Sequence, residues 1–99
     1  MTKHIVFFKF KAEVSENVRT SAFKAFKDGI ERLPSEFPYI REGFVGRNCN
    51  EAEKWDVCLH SVFDNLEDVK AYSVHPSHKA VASEFMKFVA ERACVDFEI

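Results

Sequence analysis

Between Ala71 and Val81 the chain reads AYSVHPSHKAV, placing a tyrosine, two histidines and a proline within the positions from Tyr72 to His78. An imidazole exchanges a proton near neutral pH, and a phenol can donate a hydrogen bond to an oxyanion. The stretch therefore holds groups suited to general acid–base work. The proline has a structural reading as well. It fixes its own φ and pushes the preceding residue out of helical geometry, which makes His75 a break and Pro76 the first residue of a new helix. His78 then opens the series His78, Val81, Ala82, Phe85 at helical spacing and points inward. Tyr72 closes the inward series Leu66, Val69, Tyr72 of a short preceding helix. His4 heads the apolar face of the first strand. Three independent periodicities thus send His4, Tyr72 and His78 toward one interior.

In such an interior, burial and a helix N-terminus disfavour the imidazolium form. His78 becomes a neutral base, and the Tyr72 hydroxyl a donor to a developing oxyanion. Chemistry of this kind needs a pocket of roughly 300 Å³ or more reaching His78. Phe8, Phe85 and Phe88 read as core residues that could also wall it; a space filled by phenylalanine would defeat the catalytic reading. The plainer alternative is that the histidines only satisfy hydrogen bonds beside the core. His75 is expected to be exposed or to cap a helix, and His60 to pack on the far sheet face. A zinc site from His4, His75 and His78 lacks a fourth ligand or second carboxylate, so no metal is expected. Cys49, Cys58 and Cys94 lack C-x-x-C spacing and read as reduced thiols of a cytoplasmic protein.

The elements that must position these groups follow from periodicity. KHIVFFKFK alternates as a strand, with His4, Val6, Phe8 and Phe10 on one face and Ile5, Phe7, Lys9 and Lys11 on the other. Ser15 is the expected N-cap of a helix whose stripe is Val18, Ala22, Phe26, Ile30 and Leu33, ending at Pro34. PYIREGFVGR reads as a weaker strand bent at Gly43 and Gly46. WDVCLHSVF is a third strand, with Trp55, Val57, Leu59 and Phe63 set against Asp56, Cys58, His60 and Val62. Asp64 and Glu67 have capping-box spacing for the short helix. The Pro76 helix is expected to run to about Glu91, and ACVDFEI to close as a strand.

This order, βαββαβ, is the ferredoxin-like α+β sandwich, with helices on one sheet face only. The other face, expected to carry Ile5, Phe7, Cys58, His60, Val62 and Cys94, is too apolar for water. A two-fold homodimer pairing these faces covers it economically. With 99 residues, 46% of them hydrophobic and 30% charged, the chain is expected to be one domain over 1–99 with a modest core. A net charge of −2 without a basic cluster argues against a nucleic-acid partner. No apolar run approaches the ~20 residues of a membrane span, and the N-terminal run is too short for a signal peptide.

KHIVFFKFK, LPSEFPYIREGFVGRN, WDVCLHSVFDNLEDVKAYSVHPSHKAV and VDFEI together resemble the stress-responsive A/B barrel domain (Dabb) family, most specifically in the AYxxHPxH element. The resemblance implies a homodimer whose two sheets face each other as a dimeric α/β barrel. One plant member, a polyketide cyclase, closes a linear poly-β-keto chain by an intramolecular aldol step without a cofactor. This chain is similar to it at three catalytic positions. By that resemblance His78 would remove the proton between carbonyls, Tyr72 would polarise a carbonyl oxygen and His4 would help position a small apolar substrate against Phe8 and Phe85. Those two phenylalanines are bulky where the pocket would lie, and the chain departs from the cyclase between Arg41 and Lys54. Two other readings compete: a non-catalytic homodimeric stress-response or binding protein, and an oxygen-dependent monooxygenase.

Overall fold

The computed structural model describes the whole chain, Met1–Ile99. Its elements are strand β1 (Thr2–Phe10), helix α1 (Glu16–Arg32), strand β2 (Ile40–Arg47), strand β3 (Val57–Phe63), helices α2 (Leu66–Ser73) and α3 (Pro76–Met86), and strand β4 (Val89–Glu98), with a 3₁₀ turn at Leu33–Ser35. The strands form one antiparallel sheet in the order β2-β3-β1-β4. The ferredoxin-like α+β sandwich expected from the element order is the fold observed.

Alternation decides the two sides. Thr2, His4, Val6, Phe8 and Phe10 of β1 are all buried, while the residues between them are half-buried on the open side. Across from them, Val57, Leu59, Ser61 and Phe63 of β3 face the helices. Phe26 and Ile30 of α1, Leu33, Val69 and Tyr72 of α2, and Phe85 of α3 complete the core. Ser15 caps α1 as expected, its Oγ accepting the Val18 amide hydrogen at 3.3 Å. Val18 itself is exposed, so the stripe begins at Ala22.

Five further expectations are corrected. The α2 cap is Asn65, whose Oδ1 accepts from the Asp68 amide at 2.9 Å, while Asp64 pairs with Arg41 instead. Leu66, expected on the inner side of α2, is exposed. Helix α3 ends at Met86 rather than near Glu91, because β4 begins at Val89, whose buried side chain joins the core. Trp55 precedes β3 and packs against Phe7 of the open face, ring centroids 5.8 Å apart, rather than on the side of Val57. The phase of β4 is the reverse of that expected. Cys94 pairs with Val6, Asp96 with His4 and Glu98 with Thr2, so these three lie on the helix side, while Ala93, Val95 and Phe97 lie opposite Phe7, Ile5 and Lys3. An edge strand takes its phase from its only neighbour. Here two short hydrogen bonds lock it, Thr2 Oγ1 to Glu98 Oε1 and His4 Nδ1 to Asp96 Oδ1, each 2.6 Å.

Candidate functional site in the sheet–helix cavity

His4 and His78 line a single small cavity between sheet and helices, of about 120 Å³, walled by Phe8, Phe26 and Phe85 among others. The pocket of roughly 300 Å³ or more expected at His78 is not present, and the reason is visible in the rings. Phe26 and Phe85 stack at 4.1 Å, and Phe8 meets both edge-on, at 5.4 and 5.2 Å. Phe8 and Phe85 are only 5% and 3% exposed, so they act first as core. Two larger hollows, each about 630 Å³, lie elsewhere: a groove between α1 and α3, and a cleft on the open face beside Trp55 and Cys58. Neither is lined by His4, Tyr72 or His78, so size does not mark the site with the most chemistry.

His78 is placed by the Pro76 start of α3. It is half-buried, and its Nδ1 lies 3.2 Å from the Ser73 carbonyl oxygen at the end of α2. A carbonyl can only accept, so Nδ1 carries the hydrogen and Nε2 is left as a basic lone pair. Burial is the main cause that pushes His78 below the usual histidine range; the Ser73 hydrogen bond opposes it, and the charges of His4 and Arg92 add to it. The neutral imidazole is therefore the favoured form.

Tyr72 is 4% exposed and lies against His78, ring centroids 4.5 Å apart, with Phe63 at 5.2 Å on another side. Burial, with Tyr39 nearby, raises its phenol well above the usual tyrosine range, so it stays a donor at any physiological pH. It touches His78 without lining the cavity. His4 reaches the same cavity from β1, edge-on to Phe63 at 6.0 Å. Its Nδ1–H donates to Asp96 at 2.6 Å, since a carboxylate only accepts. Asp96 is a candidate site residue that sequence reasoning missed. Its position on β4 was visible, but its side of the sheet depended on a register that no local pattern encodes. Arg92 and Met86, also on the cavity wall, were missed for related reasons.

His75 caps α3, its Nδ1 accepting the Ser77 amide hydrogen at 3.1 Å, and packs edge-on to Phe37 at 4.8 Å. It takes no part in the cavity. His60 stacks on Phe44 of the open face, 6.3 Å between centroids. The three cysteines are free thiols, and burial raises Cys58 and Cys94 above the usual thiol range. No helix is long and apolar enough to cross a membrane.

A strand-borne His–Asp pair and a helix-borne histidine meeting under one ferredoxin-like sheet can be compared with known proteins. The family model of the stress responsive A/B barrel domain matches residues 2–99. The chain belongs to the Dabb family. Among solved structures, this Dabb chain is similar to a dimeric protein of unknown function and ferredoxin-like fold from Bacteroides fragilis, at 42% identity and a TM-score of 0.94, covering 99% of this chain and 95% of that one. It is 22% identical over 98 residues to olivetolic acid cyclase of Cannabis sativa, covering 96% of this chain and 93% of the cyclase. It shares its fold with the hydroxynitrile lyase of Passiflora edulis, at 18% identity and a TM-score of 0.75, covering 99% of this chain and 92% of that one. Proteins of this one fold thus carry different activities, and site geometry rather than fold must argue function.

Proposed function

We infer that this Dabb chain is a homodimer in which each sheet–helix cavity takes a compact, mostly apolar molecule and removes a proton from it with His78. The observation that carries this reading is the His78 imidazole: Nδ1 is tied to the Ser73 carbonyl, Nε2 is uncommitted, and the ring edges the cavity shared with His4. In the proposed step Nε2 of His78 accepts a proton from a carbon beside a carbonyl. The electron pair moves onto the carbonyl oxygen, which the Tyr72 hydroxyl, packed against His78, stabilises as a donor. The reaction needs no cofactor, as in the cyclase to which the chain is similar.

Cavity size limits the substrate. Ligand pockets usually run from about 300 Å³ upward, and 120 Å³ is far below that. A poly-β-keto chain with an alkyl tail does not fit unless Phe8 or Phe85 moves, so a compact carbonyl compound is the class proposed. Homodimerisation is supported by solved relatives described as dimeric. It is also supported by the open sheet face, where Phe44, Val95 and Phe97 are 57%, 57% and 46% exposed. A non-catalytic binding role is the second reading, and one observation favours it: phenylalanine fills most of the space at His78, which defeats catalysis on a bulky substrate and leaves only the compact class proposed.

The test is proton exchange. Compact ketones are incubated in deuterated buffer with the wild-type protein or His78→Ala, and loss of the α-proton signal is followed by NMR. General-base catalysis of about 10²-fold or more over the variant is expected. Equal exchange rates would refute the catalytic reading. Shift changes without exchange would favour the binding protein.

A further inference from the structure

At the edge of the cavity three metal-ligand side chains from two strands converge. His4 on β1 and Asp96 on β4 are direct cross-strand partners, and Cys94 lies two residues before Asp96, opposite Val6. Alternation puts all three on the helix side of the sheet. Their imidazole nitrogen, thiol sulfur and carboxylate oxygen lie within 4.8 Å of one another. A tetrahedral zinc ion, with bonds of about 2.3 Å to sulfur and about 2.0 Å to nitrogen or oxygen, holds a sulfur about 3.5 Å from its other ligands. Cys94 Sγ is 3.6 Å from His4 Nδ1 and 3.7 Å from Asp96 Oδ2. The thiol sulfur thus stands at ligand spacing from His4 Nδ1 and from one carboxylate oxygen, Oδ2. The other oxygen, Oδ1, accepts the His4 Nδ1 hydrogen at 2.6 Å, a bond that the ion replaces as the Asp96 carboxylate turns. Asp96 stands on an edge strand with 28% of its side chain exposed, which gives it room to turn and the ion a path in.

We propose that His4, Cys94 and Asp96 bind a borderline-soft divalent cation of the zinc class, leaving a fourth coordination position free of protein ligands. Donor chemistry selects the class, because thiolate and imidazole favour Zn²⁺, Co²⁺ or Ni²⁺ over Mg²⁺ and Ca²⁺. One thiolate and one carboxylate neutralise a doubly charged ion. Arg92, on the same cavity wall, opposes the ion, but a single cation stands against two anionic ligands. Sequence spacing could not show this site, since its carboxylate and thiol reach His4 only through the register of β4. Binding replaces the Nδ1 hydrogen of His4 by the metal, so Nε2 becomes the N–H nitrogen. The ring then offers a donor where the metal-free chain offers an acceptor. None of this depends on His78 acting as a base.

The test uses the full chain without a histidine tag, stripped with a chelator and titrated with Co²⁺ by absorbance and with Zn²⁺ by calorimetry. One ion per chain and a near-ultraviolet thiolate-to-cobalt band are expected. Cys94→Ala should abolish the band, and both it and Asp96→Asn should weaken Zn²⁺ at least about tenfold. A Cys49→Ser/Cys58→Ser double variant should keep both signals. Melting curves without metal show whether each variant folds; if Cys94→Ala does not, Asp96→Asn and the wild-type band decide. No stoichiometric binding by the wild type overturns the site. So does a band that survives in folded Cys94→Ala, or Zn²⁺ affinity unchanged in Asp96→Asn.

Discussion

At the scale of single residues, the environment of His78 has a consequence for stability that is separate from chemistry. Its folded-state pKa lies below the ordinary value of about 6.5. The unfolded chain therefore binds the proton more readily, and stability rises with pH across this window. Acidification from about pH 6.5 downward should destabilise the protein progressively, until the folded-state group also titrates. His78→Gln, which cannot titrate, should flatten this part of the profile of melting temperature against pH; an unchanged profile would show that His78 is not the group responsible. Tyr72→Phe separates the two roles of the phenol. Ring packing against Phe63 and His78 is kept, so stability should change by less than about 1 kcal/mol. Proton exchange should fall if the hydroxyl stabilises the oxyanion, and a variant with full activity would remove Tyr72 from the mechanism. These ring positions were legible in the sequence because each depended only on the period of its own element. The partner of His4 was not, because Asp96 is 92 residues away along the chain.

At the scale of elements, the layer above the cavity depends on how closely α1 approaches α3. A Cβ built on Gly29 of α1 would lie 2.8 Å from Val81 Cγ1 of α3. Gly29→Ala must push the helices apart or displace Val81, at a cost of about 1–3 kcal/mol. That corresponds to a fall in melting temperature of at least about 4 °C for a chain of this size. The double variant Gly29→Ala/Val81→Ala should recover part of the loss, and absence of any recovery would locate the strain elsewhere. Helix starts were readable because capping and proline act within a few residues, as at Ser15 and Pro76. Helix ends and the α2 cap moved by one to five residues. At Asn65 two adjacent residues could each cap, and Asp64 was drawn away by Arg41.

At the scale of the whole molecule, the reversed phase of β4 changes what the second face of the sheet can do. Val95 and Phe97 join Ile5, Phe7 and Phe44 there, making that face more apolar than the sequence alone suggested. Burying such a contiguous surface against a second copy gives about 25 cal/mol for each Å² of apolar area removed from water. Phe97→Lys should therefore convert the proposed dimer to a monomer in light scattering with its circular dichroism largely kept, because the side chain lies outside the core. Cys94→Ser, one strand position from Val95 and on the opposite face, should leave the association unchanged. If Phe97→Lys remains dimeric, the subunits pair through another surface.

The sequence by itself determined the order of elements, the ferredoxin-like class, the inward rings of His4, Tyr72 and His78, and the presence of an apolar second face. All of these follow from periods of 2 and 3.6 and from proline and capping chemistry, which are local. Only the tertiary structure decided which side of β4 faces the helices, that Asp96 and Cys94 stand beside His4, and that three phenylalanines shrink the cavity to about 120 Å³. Those depend on strand register and on how side-chain volumes share one space, quantities summed over residues distant in the chain.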